Sequence, residues 1–229
     1  MPGPDRVRDE RLIVFVRSPE KGHVKTRLAK RIGGEAATVL YRACVSDIMA
    51  ATGKAGYPPH VFFYPPEAGA AIAAWLGDRA ASLTPQEGTD LGHRMWAALR
   101  KTLTGCERAV LIGSDCPDLP TALLKEAFDG LAAHDAVIGP STDGGYYIIG
   151  FRAGALAGAP FEGIAWGGPA VFDATMAALE KDGRSVHVLP AWRDIDVYED
   201  LLAFLERNKA LPPGALSTVD VLRERFGKP

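Results

Sequence analysis

The chain has 229 residues, of which 47% are apolar and 24% are charged, and its formal net charge is −2. This length suits one α/β domain with a buried core, and this composition argues against disorder. A nearly neutral chain lacks the positive field with which proteins bind nucleic acids, so we expect no nucleic-acid partner. We predict a single domain over residues 1–229, with a core at 11–207 and a C-terminal tail at 208–229.

Cysteine usage and hydropathy predict a cytoplasmic protein. Cys44, Cys106 and Cys116 are odd in number and show no spacing typical of a zinc site, so we expect reduced thiols. The segment from Met1 to Arg11 is polar and charged and lacks the apolar stretch of a signal peptide. No apolar run approaches the roughly 20 residues that cross a bilayer, so we expect no transmembrane segment.

The first half of the chain alternates strand-like and helix-like segments. Leu12 to Val16 is a continuous apolar run, as expected of a strand that is buried on both faces. Apolar residues at helical spacing predict the helices, and Thr89 or Asp90 would cap the last of them. The predicted strands in this half are 12–16 and 60–64, and the predicted helices are 35–51, 68–76 and 89–103.

The second half continues the alternation and predicts a mainly parallel sheet flanked by helices. Pro120 suits the first turn of a helix, and Asp118 is the expected cap. The Asp143-Gly144 pair between two apolar runs predicts a hairpin. The predicted strands are 109–113, 136–139, 146–151 and 186–189, and the predicted helices are 120–131, 169–181, 198–207 and a short one after 212.

A basic loop follows the first predicted strand. It runs from Arg17 to Arg27 and holds four basic side chains together with a proline and a glycine. Ligands bind at the carboxyl ends of parallel strands, and Arg17, Lys25 and Arg27 suit phosphate oxygens, while Gly22 permits close backbone approach. The segment has no GxxxxGK[ST] pattern and is therefore not a P-loop. A solvated charged loop is the alternative interpretation.

Acidic residues follow two further strands. Asp115 comes directly after 109–113 and is a candidate ligand for Mg²⁺ or Mn²⁺, which prefer oxygen donors, although a turn or capping role is equally open. Asp194 and Asp196 follow 186–189 and project to one side if the segment is extended. One of them could be a second metal ligand and the other a helix cap, or both could be surface acids.

Two glycine-containing segments are candidates for the substrate site. Asp143 could contact sugar hydroxyls, with Gly144 and Gly145 allowing close backbone approach, or the segment could simply form the hairpin turn. The second segment surrounds a helix start and could shape a base or sugar pocket. Its candidate residues are Gln86, Gly88 and Asp90.

Five motifs occur in register along the chain. They are Lys25–Ala29, Gln86–Gly92, Gly113–Pro117, Gly139–Tyr146 and Asp194–Leu201. Together they resemble the bacterial glycosyltransferase-A-type family of nucleotide-diphospho-sugar transferases, some members of which are linked to arsenosugar biosynthesis. The resemblance spans residues 11 to about 205.

The resemblance implies a Rossmann-like nucleotide-diphosphosugar transferase fold, a nucleotide-sugar donor, a small-molecule acceptor and a divalent metal. It makes Asp115 the counterpart of the family's metal-binding acid. We expect metal-assisted group transfer, in which the metal neutralises the leaving group. The expected roles are diphosphate binding by Arg17, Lys25 and Arg27, metal binding by Asp115 and Asp196, and catalysis by Asp143 and Asp196.

The sequence departs from the family pattern at one point and leaves two other functions open. Gly167-Gly168-Pro169 follows Trp166 where the family usually has a small hydroxyl residue, which puts acceptor binding there in doubt. Nucleotidyltransferases of the 2-phospholactate guanylyltransferase type share the fold and release pyrophosphate. Many of them open with Gly-Gly-x-x-x-Arg-Met, which is absent at 17–22. A nucleotide-binding protein without turnover is the third reading, disfavoured by the retained aspartates.

Overall fold

The computed structural model describes residues 9–226, with the side chain of residue 226 excluded. Within this range the predicted alternation of strands and helices is present. The strands are β1 (Glu10–Arg17), β2 (Pro59–Tyr64), β3 (Ser82–Pro85), β4 (Arg108–Ile112), β5 (Ala136–Pro140), β6 (Tyr146–Arg152) and β7 (Val186–Val188). The helices are α1 (Thr26–Ile32), α2 (Gly34–Lys54), α3 (Gly69–Leu76), α4 (Leu91–Leu103), α5 (Thr121–Gly130), α6 (Val171–Lys181), α7 (Tyr198–Arg207) and α8 (Ser217–Phe226).

The strands form one sheet in the order β3-β2-β1-β4-β6-β5-β7. β6 pairs antiparallel with both β4 and β5, and the other pairings are parallel. The short turn that joins β5 to β6 makes that reversal, as the Asp143-Gly144 pair predicts. The predicted α/β class with a mainly parallel mixed sheet is therefore confirmed, and the carboxyl ends of the parallel strands meet at one edge.

Helices cover both faces of the sheet. Along β1, Leu12 and Val14 pack on one side with α2, α3 and α5, whereas Ile13 packs on the other side with α4 and α6. Both Ile13 and Val14 are fully buried. A strand with two covered faces needs apolar residues at every position, which is why the run at 12–16 does not alternate.

A third apolar cluster joins the C-terminal segment to the body. α8 packs on α2, and the buried Asp47 of α2 accepts hydrogen bonds from the main-chain amides of Ser217 and Thr218, both at 2.8 Å. Asp47 thereby satisfies amides at the start of α8 that have no partner within the helix. The predicted short helix packed back on the body is thus confirmed.

Three local expectations need correction. An unpredicted helix, α1, begins at the end of the basic loop, and a short edge strand, β3, lies in a segment where no strand was predicted. Both are short, and neither shows a strong apolar period, since α1 buries only Leu28. Asp118 does not cap α5, because Pro120 precedes that helix without a side-chain cap. Asp118 instead accepts hydrogen bonds from Arg207 and Asn208 at the end of α7.

None of the helices described is both long enough and apolar enough to span a membrane. The cytoplasmic location stays a prediction.

Candidate functional site

A cavity lies at the carboxyl edge of the sheet. It has a volume of about 590 Å³ and is bounded by the ends of β1 and β4, the start of β6 and the first turns of α4. Parallel α/β sheets place their ligands at this edge because the loops there diverge from the strand ends. Several of the predicted site residues line it. They are Arg17, Lys25, Gln86, Asp115, Asp143, Gly145 and Asp196.

Lys25 is the most enclosed basic residue of the site. Its side chain is 3% exposed, and its Nζ contacts both the Asp115 carboxylate and the main-chain carbonyl of Ile195. Burial alone would lower the pKa of Lys25, but the charge and hydrogen bond of Asp115, together with Cys44 and Asp194, outweigh burial and hold that pKa above its ordinary value. Lys25 therefore stays protonated and fixes the basic loop against the loop after β4.

Two arginines of the cavity lie over an aromatic ring. The Arg94 guanidinium lies 3.9 Å from the centre of the Tyr64 ring, and the Arg17 guanidinium lies 5.3 Å from it. The main-chain amide of Arg17 donates to the buried hydroxyl of Tyr41 at 2.7 Å, and burial raises the pKa of that hydroxyl to about 12. Arg94, Tyr41 and Tyr64 were not predicted. Arg94 lies just beyond the Gln86–Gly92 motif, which was the available signal.

Three carboxylates converge beside Lys25. Asp115, Asp143 and Asp194 line a smaller cavity of about 110 Å³ next to the main one. Burial, followed by the charges of Asp143 and Asp115, raises the pKa of Asp194 to about 6, although the hydrogen bond from Ser141 opposes the rise. A cation beside Asp194 would favour its ionised form, so this group of carboxylates suits a cation.

Asp194 and Asp196 have separate environments. Asp194 accepts a hydrogen bond from the Ser141 hydroxyl at 3.0 Å, whereas Asp196 pairs with Arg27 at 2.8 Å. Asp196 lines the main cavity, but Arg27 lies outside its lining. The expectation that one of the two caps a helix is not met, because Asp200 accepts the amide hydrogen bonds at the start of α7.

Of the candidate glycines, some allow close backbone packing and others line the cavity. Gly144 has a φ of +91°, and a Cβ there would come within 1.9 Å of the Pro169 carbonyl oxygen, so it allows the hairpin turn to pack against the segment before α6. Gly145 lines the main cavity. The remaining candidates outside the lining are Gly22, Gly88 and Asp90, and Asp90 accepts from the His93 amide as the predicted cap of α4.

Gln86 and Trp166 both form part of the cavity wall. Gln86 is buried, and its side-chain Nε2 donates to the Phe62 carbonyl at 2.9 Å, which fixes the amide group at the cavity. Trp166 contacts the Tyr146 ring edge-on at 6.4 Å. Gly167 and Gly168 line the cavity beside it. The segment in which this sequence departs from the family pattern is therefore part of the wall.

The acidic residues of the site could supply some, but not all, of the ligands of a hard divalent cation. Carboxylate oxygens are the ligands that Mg²⁺ and Mn²⁺ prefer, and Mg²⁺ commonly uses one or two carboxylates together with substrate phosphates. Within residues 9–226, no group of three or more His, Cys, Asp and Glu side chains is arranged to hold a metal by itself. A cation here would therefore need ligands from the substrate as well as from Asp115 and its neighbours.

Comparison with known proteins identifies relatives. Residues 48–168 match the family described as uncharacterized protein conserved in bacteria (DUF2064). The crystal structure of a putative nucleotide-diphospho-sugar transferase from Desulfovibrio desulfuricans G20 is 37% identical, covers 95% of each chain and superposes with a TM-score of 0.89. No curated protein matches the sequence.

More distant structures share the fold alone. A 4-diphosphocytidyl-2C-methyl-D-erythritol synthase from Anaerococcus prevotii is 12% identical, with a TM-score of 0.56 over 87% of this chain and 100% of that chain. Rv0371c from Mycobacterium tuberculosis H37Rv, solved in complex with manganese, is 17% identical, with a TM-score of 0.52 over 85% and 97%. The protein belongs to the bacterial DUF2064 family and has the nucleotide-diphospho-sugar transferase fold, so the predicted family, fold and transferase class are confirmed.

Proposed function

We propose that the protein is a metal-dependent glycosyltransferase that binds a nucleoside diphosphate sugar in the cavity at the carboxyl edge. One observation carries this proposal: the cavity brings basic side chains and a group of crowded carboxylates to the same strand ends. Basic side chains suit a diphosphate, and crowded carboxylates suit the divalent cation that bridges to it. The 37% identical relative, named for nucleotide-diphospho-sugar transfer, supports the same donor class.

The positions of the residues suggest which part of the donor each of them binds. Arg17 and Lys25 line the cavity and would hold the diphosphate, while the rigid Gln86 amide and the Tyr64–Arg94 stack offer polar and flat surfaces to the base or ribose. Flat aromatic and guanidinium groups pack favourably against the faces of rings.

Two of the three crowded carboxylates are better placed for a cation than Asp196. Asp115 and Asp194 share the smaller cavity, whereas the Asp196 carboxylate is already paired with Arg27. We therefore assign the cation to Asp115 and Asp194 and leave Asp143 facing the transferred group. When bound, the cation would supply positive charge to the departing diphosphate. Asp143 could orient a sugar hydroxyl or accept the proton of the acceptor.

The hydrogen bonds of the basic loop favour glycosyl transfer over nucleotidyl transfer. The main-chain amides of Ser18, Glu20 and His23 donate to carbonyl oxygens within the protein, at 2.7, 2.8 and 3.0 Å. Pro19 has no amide hydrogen to donate. These three amides are not free to bind a triphosphate, and the loss of these donors favours the shorter diphosphate.

Product analysis tests the proposal. The protein is incubated with Mn²⁺ and either nucleoside diphosphate sugars or nucleoside triphosphates, and the released nucleotides are separated. We expect slow release of a nucleoside diphosphate from one sugar donor. Pyrophosphate released from a triphosphate, with no diphosphate from any sugar donor, would establish nucleotidyl transfer instead. Tight nucleotide binding without any product would favour the non-catalytic reading.

A further inference from the structure

Lys25 is held more firmly than a phosphate-binding lysine on a surface loop. Among the described residues it is the one buried lysine or arginine. Its ammonium group contacts the Asp115 carboxylate on one side and the Ile195 carbonyl on the other. Ile195 in turn donates its main-chain amide to the Asp115 carbonyl at 2.9 Å. The contacts of Lys25 therefore join three segments that lie far apart in the sequence.

Lys25 also has an unusual backbone conformation. Its φ and ψ are 48° and 43°, and it is the one non-glycine residue with a positive φ in the part of the chain that the structure describes. A lysine adopts this left-handed conformation only where surrounding contacts offset its cost. The contacts of the ammonium group with Asp115 and Ile195 are consistent with such an offset.

Asp115 faces two directions at once. Its side chain is 49% exposed and lines both cavities, while one carboxylate oxygen contacts Lys25. A cation that approaches Asp115 from the cavity therefore meets a carboxylate whose charge Lys25 already balances. The ammonium group would also repel that cation at close range, and the repulsion is strong where water is partly excluded.

We propose that Lys25 and the divalent cation compete for Asp115, and that the phosphates of the nucleotide end this competition by drawing the ammonium group away. The inference rests on the proposed metal and diphosphate of the site. It predicts that the cation alone binds weakly and that nucleotide and cation strengthen each other's binding. Because such coupling is reciprocal, both affinities rise by the same factor.

Direct measurement of Mn²⁺ binding tests the competition without an activity assay. Electron paramagnetic resonance counts unbound Mn²⁺ in titrations of the wild type and Lys25→Met, each alone and with ADP, CDP, GDP or UDP. We expect Lys25→Met to bind Mn²⁺ alone about tenfold more tightly than the wild type, because the competing charge is gone. We also expect the gain from the bound nucleotide to shrink by a similar factor in the variant.

Lys21→Met is the matched control, because Lys21 is an exposed lysine in the same loop. It removes the same charge and should bind Mn²⁺ like the wild type. Lys25→Gln, which keeps a donor toward the Ile195 carbonyl, replaces Lys25→Met if that variant does not fold. Asp115→Asn should lose the Mn²⁺ site in every background.

The outcomes separate the competition from the proposed function. Equal Mn²⁺ affinity of the wild type and the folded Lys25 variant would overturn the competition and leave the metal site standing. A similar gain in Lys21→Met would also overturn it, since the effect would then be one of general charge. Absence of Mn²⁺ binding in all variants, with and without nucleotide, would overturn the metal site and the competition together.

Discussion

The two edges of the sheet treat acidic residues in opposite ways. At the amino edge, Asp135 accepts hydrogen bonds from the Arg152 guanidinium and from the amide and hydroxyl of Ser185, at 2.6 to 3.0 Å. These hydrogen bonds, with the Ser185 amide first, lower the pKa of Asp135 to about 2. At the carboxyl edge, burial and neighbouring carboxylates raise the pKa of Asp194 to about 6.

This difference distinguishes carboxylates that stabilise the fold from carboxylates that are suited to binding a cation. A carboxylate with full hydrogen bonding contributes to the stability of the fold in its ionised form. A carboxylate whose pKa is raised by burial and neighbouring acids lowers stability in its ionised form, and folds retain such groups where function requires them. The contrast therefore predicts that substitutions at the two edges change stability and binding in opposite patterns.

The largest effect should follow from Asp115→Asn at the carboxyl edge. Loss of the carboxylate that meets both Lys25 and the cavity should reduce Mn²⁺-dependent turnover of the sugar donor about a hundredfold or more, as for other lost electrostatic contacts to a leaving group. Rates of nucleoside diphosphate release measure this. Asp118→Asn is the control, because Asp118 is 6% exposed and bonds Arg207 and Asn208. It should lower the melting temperature and retain the metal dependence. Equal turnover of Asp115→Asn and the wild type would contradict the assignment.

A smaller effect, on stability alone, is expected for Asp135→Asn at the amino edge. Weakening hydrogen bonds to a charged group should lower the free energy of unfolding by about 2 kcal/mol at neutral pH. Since the pKa of Asp135 falls from 3.8 to about 2 on folding, its ionised form stabilises the protein above pH 4. That contribution is lost as the pH falls from about 4 to 2.

Urea unfolding of the wild type and Asp135→Asn between pH 2 and pH 7 measures this prediction. The two curves should differ at neutral pH and converge at the acid end, while nucleotide binding at pH 7 stays the same. A stability difference that does not depend on pH would show that the Asp135 charge is not the source.

Asp194→Asn should have the opposite effect to Asp135→Asn, raising stability and weakening binding, and its effect on stability should be smaller. Removing one of three crowded charges should raise the free energy of unfolding by about 1 kcal/mol at pH 7 in the absence of metal, because the repulsion disappears. The same change should weaken Mn²⁺-dependent nucleotide binding about tenfold. Calorimetric melting and titration calorimetry on the same preparations give both values. A destabilised Asp194→Asn would place this residue with the structural acids of the amino edge.

The smallest effect is expected for Arg27→Ala. Its ion pair with Asp196 joins side chains that are 59% and 37% exposed, and such pairs contribute less than about 1 kcal/mol because water and salt screen them. Thermal unfolding at low and high salt measures the contribution, which should vanish at high salt. A loss above about 2 kcal/mol would show that the pair anchors the basic loop to the segment before α7.

Much of this architecture could be predicted from local patterns. The apolar runs at 12–16 and 109–113 identify buried strands, and the Asp143-Gly144 pair identifies the hairpin, because each depends on residues close in sequence. The short helix α1 escaped prediction, since seven residues with one buried side chain show too little periodicity. Motif order also predicted the family, and the strand ends predicted the edge at which the cavity lies.

The sequence by itself determined the α/β class, the family and the strand-end segments that carry polar residues. Only the tertiary structure decided which of those residues meet. Asp118 bonds the end of α7, Asp194 joins Asp115 and Asp143, and Lys25 reaches Ile195 across 170 positions of sequence. Such contacts depend on strand order and on how each loop folds over the sheet. The sequence alone does not distinguish an aspartate that accepts a structural hydrogen bond after a strand from one that is placed to bind a cation.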